Sequence, residues 1–485
     1  MVSKMKVTLV YPACTALFVL AGAGALNGQT TVSRPLLPDA PTARPIAEAN
    51  MQQTSPALRG NANQTQAAPT NAQPPQPHQR LTRADAEQMA IKNNPRVSVG
   101  RLLALAQHQV IRETRAAELP NFNGSLTAVD AEDGSRISAG SLTASRLFEH
   151  AGAGGNITQL ITDFGRTRNL VASSKLQEKA QNANALATTE DIVLATDQAF
   201  YNALQAQALL KVADQNVDTR HTTDTQVSEM TKNKLKSTLD LSFADVNLSQ
   251  AKLLLLDAQN NADSTMAALD AVLGLDKQLT FDLSDETKPL QQPPPDPEQL
   301  TQLGLQQRPD LQALNYNEQA AVKFSHAQRA QLFPTISAAG TAGSVPIRPA
   351  QYYVANWWGA VGVNMNIPIF NGFLYTAQAK EASIRAQAVS EQSRDLRDQI
   401  VRDIRTSWLA ANTAYQRVSV TAELLKQANL ALALAQTRYQ MGLSSIVELN
   451  QAQFQQTDAA IGNTNAQYQY RLSLATLNYQ VGATP

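Results

Sequence analysis

The residues from Gly372 to Met441 contain no proline, and the only glycine among them opens the stretch. Apolar side chains recur at Ile400, Ile404, Trp408, Ala411, Tyr415, Val418, Ala422 and Leu425, in steps of 4, 4, 3, 4, 3, 4 and 3. The spacing averages about 3.6 residues and predicts a single helical stripe. A helix of about 70 residues, rising about 1.5 Å per residue, reaches on the order of 100 Å. Ordinary helices run about three or four turns, so such a rod does not suit a compact globule. The chain is expected to span a distance.

The rod belongs to a doubled plan. Arg308-Pro309 echoes Asn94-Pro95, and Leu332-Phe333-Pro334 echoes Glu118-Leu119-Pro120, both at an offset of 214. Further on the offset becomes 208. There Phe200 matches Trp408, while Leu235, Ser237, Asp240 and Leu241 match Leu443, Ser445, Glu448 and Leu449. Ala267, Leu269 and Gly274 match Ala475, Leu477 and Gly482. Each half reads as helix, strand, strand, long helix, turn and return helix. The change of offset puts one length difference within the strand pair, where a surface loop tolerates it.

In the first half a helix is expected from Thr82 to Asn93 and a second from Asn94-Pro95 to about Leu119. The first strands are expected at Phe122–Val129 and roughly Leu142–Ile161. A long helix to about Met230 follows Asp163-Phe164-Gly165, and the return helix covers about Leu239–Leu273. In the second half the strands are expected at Thr335–Ala342 and Tyr353–Ile367. In the latter, Val361, Val363, Met365 and Ile367 alternate with Gly362, Asn364 and Asn366. One face is apolar and the other small or polar, as a strand between lipid and water requires. Tyr352, Tyr353, Trp357 and Trp358 gather at its start and are expected at the membrane interface. Four strands cannot close a barrel, and open edges are not tolerated in hydrocarbon. Three copies would supply twelve strands.

The domain plan is a signal peptide at 1–28, a Pro/Gln/Ala-rich spacer at 29–80, a first repeat at 81–275, a Pro-rich linker at 276–298 and a second repeat at 299–485. Lys4 and Lys6 precede an apolar run from Val7 to Leu20, and small residues then suit cleavage after Ala25 or Gly28. The single cysteine, Cys14, lies within that run, so no disulfide framework or multi-cysteine metal site is available. Net charge is zero with 16% charged residues, which offers no basic surface for nucleic acid.

With these elements in place, the chain resembles the TolC-type outer-membrane factors over about Leu81 to Gly482. The carriers are the doubled plan and the strand-to-helix corners Thr162-Asp163-Phe164-Gly165 and Ile367-Pro368-Ile369-Phe370-Asn371-Gly372. The distal turn from Arg438 to Leu449 adds to them. The resemblance implies a mainly α fold with a small membrane β-barrel contribution. A homotrimeric α-barrel tunnel would cross the periplasm below a shared twelve-stranded β-barrel in outer-membrane lipid. It implies an inner-membrane pump and a periplasmic adaptor (membrane fusion protein) as partners, in a tripartite efflux pump or type I secretion system. The family's constriction residues fall on Asp240, Tyr439 and Glu448. A frequent second acid falls on Gln451, a frequent gate arginine on Ser444 and a turn glycine on Lys234. Lys232, Lys234 and Lys236 are expected to replace the arginine by pairing with Asp240 or Glu448.

No enzyme is expected. Asp163-Phe164-Gly165 spells a kinase motif without a phosphate loop or catalytic loop. The histidines are scattered, with no i, i+4 pair for a metal, and no cofactor is implied. The competing reading is a soluble periplasmic coiled-coil adaptor or structural spacer. Paired strands with lipid-type alternation argue against it.

Overall fold

A computed structural model describes residues 79–483, except 131–135, 140–141, 147–149, 276–280, 285–289 and 348–355. They belong to one contact unit, Pro75–Pro485. The expected signal peptide and all but the end of the spacer lie outside the described residues, as do Tyr352 and Tyr353.

The first half comprises β1 (Gln79–Leu81), α1 (Arg83–Asn93), α2 (Pro95–Ala116), β2 (Asn121–Val129), β3 (Arg136–Ala139), β4 (Leu142–Arg146), β5 (His150–Thr162), α3 (Arg166–Lys232) and α4 (Thr238–Leu273). The second comprises β6 (Phe281–Leu283), α5 (Pro297–Gln307), α6 (Pro309–Ala330), β7 (Thr335–Ile347), β8 (Trp357–Asn366), α7 (Leu374–Gln440) and α8 (Ile446–Val481). Helices recur at equal length. α1 and α5 have 11 residues each, α2 and α6 22, α3 and α7 67, and α4 and α8 36.

Local chemistry sets these boundaries. The side chain of Thr82 accepts from Asp85 N and starts α1, and that of Asn94 accepts from Arg96 N and starts α2. Ser237 and Asp240 form a reciprocal capping box at the start of α4, and Ser445 caps α8. Gly274 and Gly482, both with left-handed φ, close the two return helices. Asp163 binds Gly165 N through Oδ1 and both Thr167 N and Thr167 Oγ through Oδ2, which turns the chain from β5 into α3.

α3 is the packing hub. It lies against α2, α4, α6 and α8, while α7 packs on α5, α6 and α8. The stripe on α7 is buried at Ile400, Ile404 and Ala411, but Ala422 is exposed. From Ala411 the inward positions continue through Ala414, Val418, Thr421, Leu425, Ala428, Leu432, Ala435 and Tyr439. These steps alternate 3 and 4, so the period tightens from about 3.6 to the 3.5 of a coiled coil. The stripe read from the sequence therefore misses the seam at Ala422, where Thr421 faces inward instead, and rejoins it at Leu425.

Two short strands interrupt stretches expected to be spacer and linker. β1 pairs in parallel with β6, and Leu81, Phe281 and Leu283 bury against α1, α3 and α4. Three-residue strands are too short to display a period. The linker is also tied down further along: Trp408 Nε1 donates to Pro294 O at 2.7 Å, and Tyr470 Oη donates to Gln291 O.

The long strands form one antiparallel sheet in the order β2-β5-β7-β8, and β5–β7 joins the two halves. β3 and β4 form a separate ribbon, so the extended run expected at Leu142–Ile161 is two strands. β2 and β8 are the sheet's edges.

Candidate functional site

The two ends of the rods carry different chemistry. At the distal end, the α3–α4 and α7–α8 turns share one backbone design. Leu235 N donates to Met230 O at 2.8 Å, and Leu443 N donates to Arg438 O at 2.8 Å. Both turns place a left-handed residue before that bond, Lys234 at φ 61° and Gly442 at φ 73°. Lys234 thus occupies the position where the second turn uses glycine.

Val227, Ala244, Ala435, Tyr439, Ile446, Leu449 and Ala452 make a small apolar core behind the turns. Tyr439 is 4% exposed, and its hydroxyl finds no hydrogen-bond partner among the described residues. Burial, and then the charge of Asp240, push its phenol above the usual range. Lys236 Nζ lies 4.1 Å from the Tyr439 ring centroid. Glu448 Oε1 pairs with Arg438 Nε at 3.1 Å. Asp240, Tyr439, Glu448, Lys234 and Lys236 therefore all stand at this end of the chain.

The expected lysine–acid pairs do not form within the chain. Lys232 takes Glu229, one helical turn before it, at 2.7 Å. Lys236 takes an aromatic face instead of a carboxylate. Asp240 is engaged in its capping box and Glu448 by Arg438. Arg438, in the last turn of α7, is the charge partner that sequence reasoning missed.

At the other end, ladder register sorts the sheet into two faces. One carries Phe122 and Leu126 of β2, Ile157 of β5, Ala338 and Gly340 of β7, and Trp357, Val361, Val363 and Met365 of β8. Its large side chains are open, with Val361 91% exposed. The opposite face carries Asn123, Ser125, Asn156, Thr158, Ser337, Thr341, Asn364 and Asn366. Trp357 belongs to the apolar face. Trp358, as its neighbour in an extended strand, belongs to the polar one. The two tryptophans expected at one membrane interface therefore stand on opposite faces of the sheet.

A second aromatic group marks the strand-to-helix corners. Phe164 stacks on Phe333 at 5.9 Å, and Phe370 meets Phe373 edge to face at 5.5 Å. All four rings are exposed. They flank the strand ends opposite the one where Trp357 opens β8. Only the fold gathers them, although their places beside the corner glycines were a signal.

Among the described residues no helix is long and apolar enough to cross a membrane, and no His/Cys/Asp/Glu group is arranged to hold a metal. The apolar sheet face is the surface suited to lipid.

Known proteins share this architecture. The family model described as outer membrane efflux protein matches residues 87–275 and 300–483. Outer membrane protein TolC of Escherichia coli strain K12 is 23% identical over 348 residues, covering 67% of this chain and 69% of that protein. Outer membrane protein TolC of Vibrio cholerae is 23% identical over 410 residues, covering 82% and 90%. Among solved structures, the transmembrane channel CusC superposes with a TM-score of 0.74 at 20% identity, covering 82% of this chain and 92% of that one. The family match takes in both repeats and most of the sequence, and the chain belongs to the outer membrane efflux protein family, the channels of the outer membrane.

Proposed function

We propose that three copies of this chain assemble into a passive channel-tunnel through which a tripartite efflux pump or type I secretion system exports its cargo. The carrying observation is the four-stranded sheet with an apolar face whose large side chains are exposed and with two open edges, β2 and β8. Unpaired backbone groups cost several kcal/mol each in hydrocarbon, so the edges need partners. Pairing β8 of one copy with β2 of the next closes twelve strands, with the polar face inward. The tunnel continues as the long helices, about 100 Å for 67 residues, enough to cross much of a periplasm. The distal turns are then its inner mouth, where a periplasmic adaptor and an inner-membrane pump dock. Asp240, Tyr439, Glu448, Lys234 and Lys236 act there as closing residues. The chain supplies no catalysis; energy comes from the pump.

Detergent extraction of outer membranes tests this reading. Heat-sensitive trimers with a hollow axis by electron microscopy, conducting in planar bilayers, are expected. A urea-soluble periplasmic monomer would reject it in favour of the spacer.

A further inference from the structure

We infer that the polar face of the sheet carries a docking site for small, neutral, planar aromatic molecules, built on the indole of Trp358. The inference rests on the reading that this face lines the passage. Trp358 stands opposite Gly343 on β7, which stands opposite Gly154 on β5. A Cβ on Gly343 would come within 2.8 Å of the indole Cζ2 and 2.9 Å of Cε2, and one on Gly154 within 3.6 Å of Cζ2. The indole therefore lies over Gly343, where a Cβ would clash, and reaches contact distance of Gly154. The residue is nonetheless 46% exposed, so much of the indole stays open for stacking.

Beside the ring is a cavity of about 270 Å³, lined in part by Ser125, Thr127, Asn156, Thr341, Val345 and Trp358. That volume suits a one- or two-ring molecule, being at the small end of ligand pockets. Among the described residues that line it, none is charged. An ionic ligand would lose hydration there with no counter-charge to replace it. The Thr341 hydroxyl is buried without a hydrogen-bond partner. The platform favours flat rings over saturated ones of equal size, because offset stacking needs a second π system. Threefold repetition would put three such platforms around the exit, where departing aromatic cargo is briefly held.

Planar-bilayer recordings of the full chain test the site, with neutral 1-naphthol as the probe and saturated decahydro-1-naphthol as its control. Wild type and Trp357→Ala should show naphthol-dependent current reductions, and decahydro-1-naphthol should act roughly ten-fold more weakly. Trp358→Ala should lose about ten-fold in apparent affinity, and Trp358→Phe should keep most of it. Equal block in Trp358→Ala and wild type, or equal block by the two probes, overturns the site while leaving the channel intact. If Trp358→Ala fails to assemble, Trp358→Phe and the probe comparison decide. Separately, vesicles of brominated phosphatidylcholine should quench wild-type and Trp358→Phe fluorescence, and Trp357→Phe fluorescence less. Quenching lost in Trp358→Phe instead would reverse the faces and overturn both the site and the barrel reading.

Discussion

Lys236 Nζ sits 4.1 Å from the centroid of the Tyr439 ring, and this contact ties the first distal turn to the last turn of α7. The ammonium is half-buried and the ring almost wholly so, which places the pair between an exposed and a desolvated cation–π contact. Such contacts contribute about 0.5–2 kcal/mol. If the turns close the tunnel, Lys236→Ala should raise open probability by roughly three- to ten-fold in single-channel records. Lys236→Arg should restore the closed state. A Lys236→Ala channel with wild-type closures would remove this contact from the gate.

Lys234 makes a second, purely conformational prediction. A left-handed φ costs a non-glycine residue about 1–2 kcal/mol, while glycine adds about 0.5–1 kcal/mol of chain entropy to the unfolded state. Lys234→Gly should therefore be neutral or stabilising by up to about 1 kcal/mol. Gly442→Ala should be destabilising by about 1 kcal/mol through the backbone alone, since a Cβ there meets nothing within 4 Å. Thermal unfolding of the two variants checks the opposed signs.

Much of this architecture was legible before any coordinates. Helix periods, the starts at Thr82 and Asn94-Pro95, and the glycines Gly274 and Gly482 carry many of the helix boundaries, whereas Ser237 and Ser445 show themselves as caps only in the structure. β1 and β6 were illegible because three residues hold no period and their pairing is distant in sequence. Closeness in sequence groups Trp357 with Trp358, but strand parity separates them and sets Trp358 beside Asn364 and Asn366. Within one chain the lysine–acid pairs are absent because nearer partners engage those charges: Glu229 for Lys232, the Tyr439 ring for Lys236, the Ser237 cap for Asp240 and Arg438 for Glu448. Phe164 and Phe333 are far apart in sequence, and their stack exists only once the corner is built.

Glu190 on α3 should make stability depend on pH. Burial first, then the charge of Asp310, raise its carboxyl to about 7, against the pull of Arg308. The folded state thus holds the proton more tightly than the unfolded chain. Its contribution is fully present below about pH 4.5 and is lost as pH rises through about 7. Glu190→Gln should stabilise by on the order of 1–2 kcal/mol at pH 8, after allowance for solvent screening, and by almost nothing near pH 4. Melting curves from pH 4 to pH 8 measure this, and a parallel pH profile for wild type and variant would contradict it.

The two strand-to-helix corners look equivalent but are secured differently, and that asymmetry predicts unequal costs. Arg166 N donates to Asp163 O at 3.2 Å, and Leu374 N to Asn371 O at 3.2 Å, so the backbones match. Only the first corner adds a side-chain cap: Asp163 accepts from Gly165 N, Thr167 N and Thr167 Oγ. Among the described residues Asn371 makes no such side-chain bond, and α7 starts without a side-chain cap. Asp163 is also buried, so removing its carboxylate leaves the Thr167 donors unsatisfied. Asp163→Ala should destabilise by about 1–2 kcal/mol, and Asn371→Ala by a few tenths at most. The loss at Asp163 should also loosen the Phe164–Phe333 stack at the sheet's margin, because Phe164 holds a left-handed φ of 53° within that turn. Hydrogen exchange at the start of α3 and α7 in the assembled protein reads both effects. Faster exchange is expected at α3 in Asp163→Ala, with α7 unchanged in either variant, and equal responses at the two corners would mean that the backbone alone holds them.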